Sequence, residues 1–139
     1  MLRDLVRLIS NEGIRICVVD ERSEIAAMAE GKSSFDIGDG TDVLNLIPKS
    51  VAMEMALRSL SPQVVASDEL GSHSDAIAVK NCIAGGAKVT CTAHAKDVDE
   101  LKVRDGAKDC LHMFDVFAVL SRDTKSGGFG CSIIHREDL

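Results

Sequence analysis

Three apolar runs in this 139-residue sequence end in side chains able to move protons or hold ions. Asp20 and Glu21 close the run RICVV, Asp68 and Glu69 close VVAS, and Thr92 and His94 follow KVTC. An Asp at the end of a buried strand can hold the water shell of a magnesium ion, and the Glu after it can polarise a water molecule for attack. One acid in such a place often does no more than cap the next helix. Three such ends in succession suggest an acidic crevice with a histidine beside it.

The elements that must position these groups follow from apolar spacing. Leu2, Leu5, Val6 and Ile9 recur at helical intervals, which predicts an amphipathic helix over 2–11 closed by Gly13. Residues 15–20 read as a buried strand, and 21–42, rich in Gly, Ser and Asp, as a long loop. Pro48 suits the first turn of a helix running to about residue 60, with Met53 and Met55 read as core filling. A strand over 64–69, a helix over 74–84 stopped by Gly85-Gly86, and a strand over 88–93 come next. A charged helix is expected from Asp97 to about 104, with a continuation after Gly106. Strands over 117–121 and 129–134, joined by a turn over 123–128, are too close for a crossover and predict a hairpin. Alternating strands and helices imply one α/β domain with a parallel sheet, whose strand ends would bring the three acidic or polar tips to one edge.

Composition narrows the function. With 45% hydrophobic and 27% charged residues the chain can bury a core and remain soluble, and no run approaches the roughly 20 apolar residues of a membrane span. A net charge of -6, no Trp or Tyr and only four Phe argue against a phosphate-backbone or base-stacking surface for nucleic acid. The five cysteines, Cys17, Cys82, Cys91, Cys110 and Cys131, show no C-x-x-C spacing and are expected as buried reduced thiols.

The segments LRDLVRLIS, RICVVDERSEIAA, DIGDGTDVLNLIPKS, MALRSLSPQVVASDELGS, AGGAKVTCTAHA and FDVFAVLSR resemble, in order, the stage III sporulation protein AA family, RecA-like ATPases related to type II and type IV secretion ATPases. The resemblance implies a RecA-like P-loop NTPase core with a mostly parallel sheet, helices on both faces and a C-terminal β-hairpin. It implies that Asp68 is the Walker B aspartate for magnesium and Glu69 the catalytic acid that activates water. Asp20, Glu21 and Glu24 match an aspartate-box region facing the γ-phosphate, and His94 matches the histidine box. Arg22 and Arg58 are candidates for nucleotide or subunit contacts, with surface salt bridges as the alternative. ATP and Mg are the implied cofactors, a homo-hexamer and the membrane proteins of the sporulation channel the implied partners, and the cytoplasmic side of that membrane complex the implied location.

Two departures bear on this. Gly40 stands where the family usually carries an arginine before Thr-Asp-Val-Leu. The segment at Leu2 would also directly follow the Walker A loop, G-x-x-x-x-G-K-[ST], so residues 1–139 are expected to be the Walker B side of the domain, without its first central strand and P-loop. Gly38-Asp39-Gly40-Thr41 and Ser126-Gly127-Gly128-Phe129-Gly130 do not replace that loop, because neither carries its lysine. Two readings result: the C-terminal part of an ATP-hydrolysing sporulation ATPase, inactive by itself, or a non-catalytic assembly module of the same fold. The absent strand is expected to leave sheet edges open to self-association.

Overall fold

All five residues of β1 (Ile16–Asp20) are buried, as in a strand covered on both faces of its sheet. In the computed structural model, which describes residues 1–122 and 127–139, β1 lies between β4 (Thr41–Asn45) and β5 (Val64–Ser67), and β6 (Lys88–Cys91) adds to β5. All three pairings of the order β4-β1-β5-β6 are parallel. Registers of Val19 with Ser67 and Ser67 with Cys91 bring the carboxyl ends of β1, β5 and β6 level, as the sequence predicts.

Side chains leave the strands alternately, so each face receives its own core. On one face Ile16, Val18 and Ala66 meet Val6 of α1 (Leu2–Asn11), together with Ile25, Ala26 and Ile37. On the other, Val19 and Val65 meet Ala52 and Met53 of α2 (Lys49–Ser59) and Val79 and Cys82 of α3 (His73–Ala84). Met53 fills the core as expected, whereas Met55 is 42% exposed. The architecture is α/β, with helices on both faces of a parallel sheet.

Two features of the segment expected as a loop over 21–42 differ. Met28–Ala29 (β2) and Lys32–Ser33 (β3) form a small hairpin whose turn, Glu30-Gly31, has both φ angles positive at 49° and 78°, the sign required by a two-residue primed turn. The segment then ends in β4, a strand the sequence reading does not assign. Its two apolar residues, Val43 and Leu44, are only half-buried and sit between Asp42 and Asn45, so its signal is weak and pairing with β1 decides its state.

The charged helix expected over 97–104 is shorter. Asp97 caps α4 (Val98–Leu101) by accepting the Glu100 amide at 2.9 Å, and α5 (Ala107–Cys110) forms after Gly106. Gly106 has φ +79°, and a Cβ there would lie 2.7 Å from the backbone nitrogen and oxygen of Ser72.

The last two strands, β7 (Val116–Arg122) and β8 (Phe129–His135), pair antiparallel as a separate sheet. Residues 123–126 of the expected turn lie outside the described residues. The register puts Ala118 opposite Ile133 and Leu120 opposite Cys131, so these share a face, and all four are exposed. Cys131 therefore departs from the expected burial. Cys17, Cys82 and Cys110 are buried and Cys91 is half-buried. Among the described residues β4 and β6, at the two ends of the order, each pair on one side only.

Burial pushes the Cys17 and Cys91 thiols up to about 12 and Cys82 to about 11, with Asp42 adding to the effect on Cys17. An unfolded chain releases these protons near pH 9, whereas the folded chain retains them. Stability should therefore be complete below about pH 9 and fall as the pH rises toward 11–12. Urea midpoints at pH 8 and pH 10.5 check this, and equal midpoints would contradict it. Gly106→Ala should cost roughly 1–3 kcal/mol by the same measurement, because the φ angle is strained for alanine and Ser72 cannot yield.

Candidate functional site

The acidic tip of β1 faces inward. Asp20 is fully buried, and its carboxylate accepts the amides of Glu24 (2.8 Å), Ile25 (3.1 Å to each oxygen) and Ala26 (2.8 Å). The same peptide units are held from the other side. Arg3 of α1 donates to the carbonyls of Ile25 at 2.6 Å and Glu24 at 3.0 Å and lies 3.5 Å from the Phe35 ring centroid. Asp20 thus anchors the segment that carries Glu21, Arg22 and Glu24. Amide donors stand in for the water that this buried anion has lost.

The tip of β5 opens into a cavity of 490 Å³, whose walls include Glu21, Arg22, Lys49, Asp68, Glu69 and Asp75. Lys49 is 6% exposed. Its ammonium lies 3.2 Å from Asp68 Oδ1 and 3.9 Å from Asp75 Oδ2 and donates to the Glu69 carbonyl. Arg22 approaches the other oxygen of Asp68 at 3.5 Å, Glu69 Oε2 at 3.8 Å and Glu24 Oε2 at 3.7 Å. Glu24 first, then Asp68, raises the Arg22 guanidinium above its ordinary value, so it remains a cation. Glu69 Oε1 has a second cation 3.9 Å away, Arg104, which also lies 3.8 Å from Glu100 and donates to the His94 carbonyl. The Leu70 amide bonds to the Thr92 carbonyl at 2.9 Å and ties the β5 and β6 tips together.

Of the residues singled out in the sequence, Glu21, Arg22, Asp68 and Glu69 thus share one cavity, with Glu24 joined through Arg22. Asp20 supports the loop from below. His94 is exposed, is not part of the cavity wall, and reaches the site only through its carbonyl and Arg104. Arg58 is an exposed residue of α2, paired with Glu54 at 2.5 Å, and is likewise absent from the wall; the salt-bridge alternative describes it.

Sequence reading missed Lys49, Asp75 and Arg104. Lys49 did carry a signal: a lysine in the first turn of a helix opposes the helix dipole and needs an acid to compensate. Arg104 sits in a segment dense with charge and carried none.

The acids fit a hydrated divalent cation in donor chemistry, being carboxylate oxygens suited to a hard ion. Both oxygens of Asp68 nevertheless face cations of the chain, and among the described residues no group of three His, Cys, Asp or Glu side chains could hold a metal. Phosphate has poorer provision. The N-terminus of α3, on the same cavity, is closed by a capping box in which Asp75 accepts the Gly71 and Ser72 amides at 3.0 and 3.1 Å. The triplet Gly31-Lys32-Ser33 invites comparison with a P-loop, but Ala26 occupies its first glycine position and no helix follows. Ser33 Oγ is instead bonded to the carbonyls of Ala26 and Phe35.

The parallel sheet with helices on both faces has the fold of a solved secretion ATPase. The VirB11 ATPase of the Brucella suis type IV secretion system, solved in complex with sulphate, superposes with a TM-score of 0.60 at 12% identity, covering 98% of this chain and 46% of that one. The family model described as sporulation stage III, protein AA, matches residues 1–136, and the chain belongs to that family. Stage III sporulation protein AA of Bacillus subtilis strain 168 is 35% identical over 129 residues, which is 88% of this chain and 42% of that relative. The chain therefore spans less than half the length of the curated relative it matches.

Asp20→Ala should destabilise the fold by about 3 kcal/mol, since three amides, those of Ile25 and Ala26 buried, lose their charged acceptor. Urea denaturation measures the loss, and limited proteolysis should then cut first within residues 21–35. A substitution neutral in both tests would remove the anchoring role.

Proposed function

We propose that residues 1–139 form the Walker B side of a RecA-like domain in a sporulation-associated, secretion-type ATPase that hydrolyses ATP with magnesium. One observation carries the reading: Asp68 and Glu69 leave β5 at the carboxyl edge of a parallel sheet and enter one cavity with Glu21 and Arg22 from the β1 tip. Glu69 is the acid that orients and polarises the attacking water, held by Arg22 on one oxygen and Arg104 on the other. Asp68 is the residue for the magnesium hydration shell. The metal, when bound, supplies charge neutralisation on the transferring phosphoryl group. Glu21, Glu24 and Arg22 form the loop facing the phosphates, which Asp20 keeps in place. His94 belongs to the nearby β6 tip, and Arg58, exposed on α2, is suited to a neighbouring subunit of a ring, taken to be a hexamer. Such a ring would work on the cytoplasmic face of the mother cell–forespore channel and contact its membrane proteins. Among the described residues, no helix is long and apolar enough to cross a membrane.

A second reading, a non-catalytic assembly module of the same fold, is favoured by one feature: Lys49 and Arg22 already neutralise Asp68 from both sides. The two readings differ in nucleotide chemistry. By calorimetry, residues 1–139 should bind Mg-ATP with a Kd weaker than about 100 μM, because the sequence holds no P-loop to cradle the phosphates; a Kd near 1 μM would sink this expectation. In a longer family protein carrying both G-x-x-x-x-G-K-[ST] and this segment, the change equivalent to Glu69→Gln should lower kcat by roughly 10²–10⁴ with nucleotide affinity little changed. Undiminished hydrolysis would remove Glu69 from catalysis, and no hydrolysis in the unaltered protein would leave the assembly module as the better account.

A further inference from the structure

Lys49 is a buried cation in the first turn of α2, where the helix dipole disfavours positive charge. Its ammonium donates to the Glu69 carbonyl and lies 3.2 Å from Asp68 Oδ1, while Asp75 Oδ2 is farther off at 3.9 Å and already accepts the Gly71 and Ser72 amides. A carboxylate and a main-chain carbonyl are also donors that a hard divalent ion takes, with water completing its shell. The ammonium thus sits against the carboxylate assigned above to magnesium.

A divalent ion and an ammonium repel each other at this range, and Asp68 Oδ1 has room for one of them. Arg22 is a weaker competitor for the second oxygen, because its side chain is 55% exposed and shared among three acids. Lysine carries a compact charge on a flexible four-carbon stem, so it can withdraw without moving the helix. The cavity beside it supplies the space, with Ser50, Ser72 and Ser74 on its wall.

We propose that Lys49 is a built-in cation that occupies the Asp68 carboxylate in place of a divalent ion, so that lysine and metal are alternatives at one position. Without metal the lysine keeps Asp68 and Asp75 paired and the β5 tip ordered. Metal entry turns Lys49 out into the cavity, where its charge becomes available to an anionic ligand. The proposal rests on the reading of Asp68 as a metal carboxylate.

Manganese titration of the full 139-residue chain, followed by the resonance of free Mn²⁺, tests it with no need for catalysis. Lys49→Met keeps an unbranched side chain close to the length of the lysine stem and removes its charge. It should bind Mn²⁺ at least about tenfold more tightly than the unaltered chain, and the double variant Lys49→Met/Asp68→Asn should lose that gain. Thermal melts should show the same exchange, with Mn²⁺ raising the Tm of Lys49→Met well above its effect on the unaltered chain. If Lys49→Met does not fold unaided, recovery of folded protein on refolding with Mn²⁺, absent in the double variant, supports the exchange. A variant that stays unfolded with Mn²⁺ overturns it.

Equal Mn²⁺ affinity in Lys49→Met and the unaltered chain also overturns it, and Asp68→Asn then separates two cases. Weaker binding in Asp68→Asn would mean that metal reaches Asp68 beside the lysine, so the exchange fails and the metal role of Asp68 survives. Unchanged binding in Asp68→Asn would remove the metal role of Asp68 together with the exchange.

Discussion

The ion pair between Lys49 and Asp68 joins the first turn of a helix to the tip of a strand, and the site is arranged around it. Each charge is compensated first by the other, and removing one partner of a buried pair leaves an ion short of compensation. Their contact fixes the start of α2 over the end of β5. Asp75, held to Lys49 at 3.9 Å, extends the constraint to the start of α3, whose capping box uses the same carboxylate. Strand β5 and two helices thus meet through one ammonium, and Glu69, the residue after Asp68, is directed into the cavity by where that ammonium sits.

Asp20 and Asp68 end strands paired in parallel register, yet they are satisfied in opposite ways. Asp20 is surrounded by backbone amides and Asp68 by cations. An amide cradle is made of the chain itself and cannot leave, so Asp20 belongs to the architecture of its loop. A side-chain cation can leave, so Asp68 can exchange its partner. This difference separates a structural acid from one able to do ion chemistry, although both follow a buried β-branched run in the sequence.

That contrast also marks how much the sequence discloses. The runs before Asp20 and Asp68 are apolar throughout because their strands are covered on both faces, and such strands are easy to recognise. Parallel order then follows from helix alternation and brings the tips to one edge. Strand β4 escapes notice because a half-buried strand with Asp42 and Asn45 in it looks like the Gly- and Asp-rich loop before it. The outward face of the β7–β8 hairpin is as apolar as its inward face, so the exposure of Cys131 has no sequence signature. Lys49 and Arg104 are missed because their acidic partners lie far along the chain and only folding unites them. The cavity could be placed from strand ends, whereas its cations had to be seen.

Charge at the cavity has a consequence for any anionic ligand. Four acids line it, Glu21, Asp68, Glu69 and Asp75, against two cations, Arg22 and Lys49, so its wall carries an excess of two negative charges. A nucleoside triphosphate is itself strongly negative and would be repelled by that wall as it stands. A divalent ion among the acids cancels the excess, and release of Lys49 from Asp68 turns an internally spent positive charge toward the ligand. On the proposed reading the phosphates therefore enter with the metal or after it. A further cation from outside residues 1–139 would serve the same end, and the loop over 36–41, which holds no Lys or Arg, does not supply one.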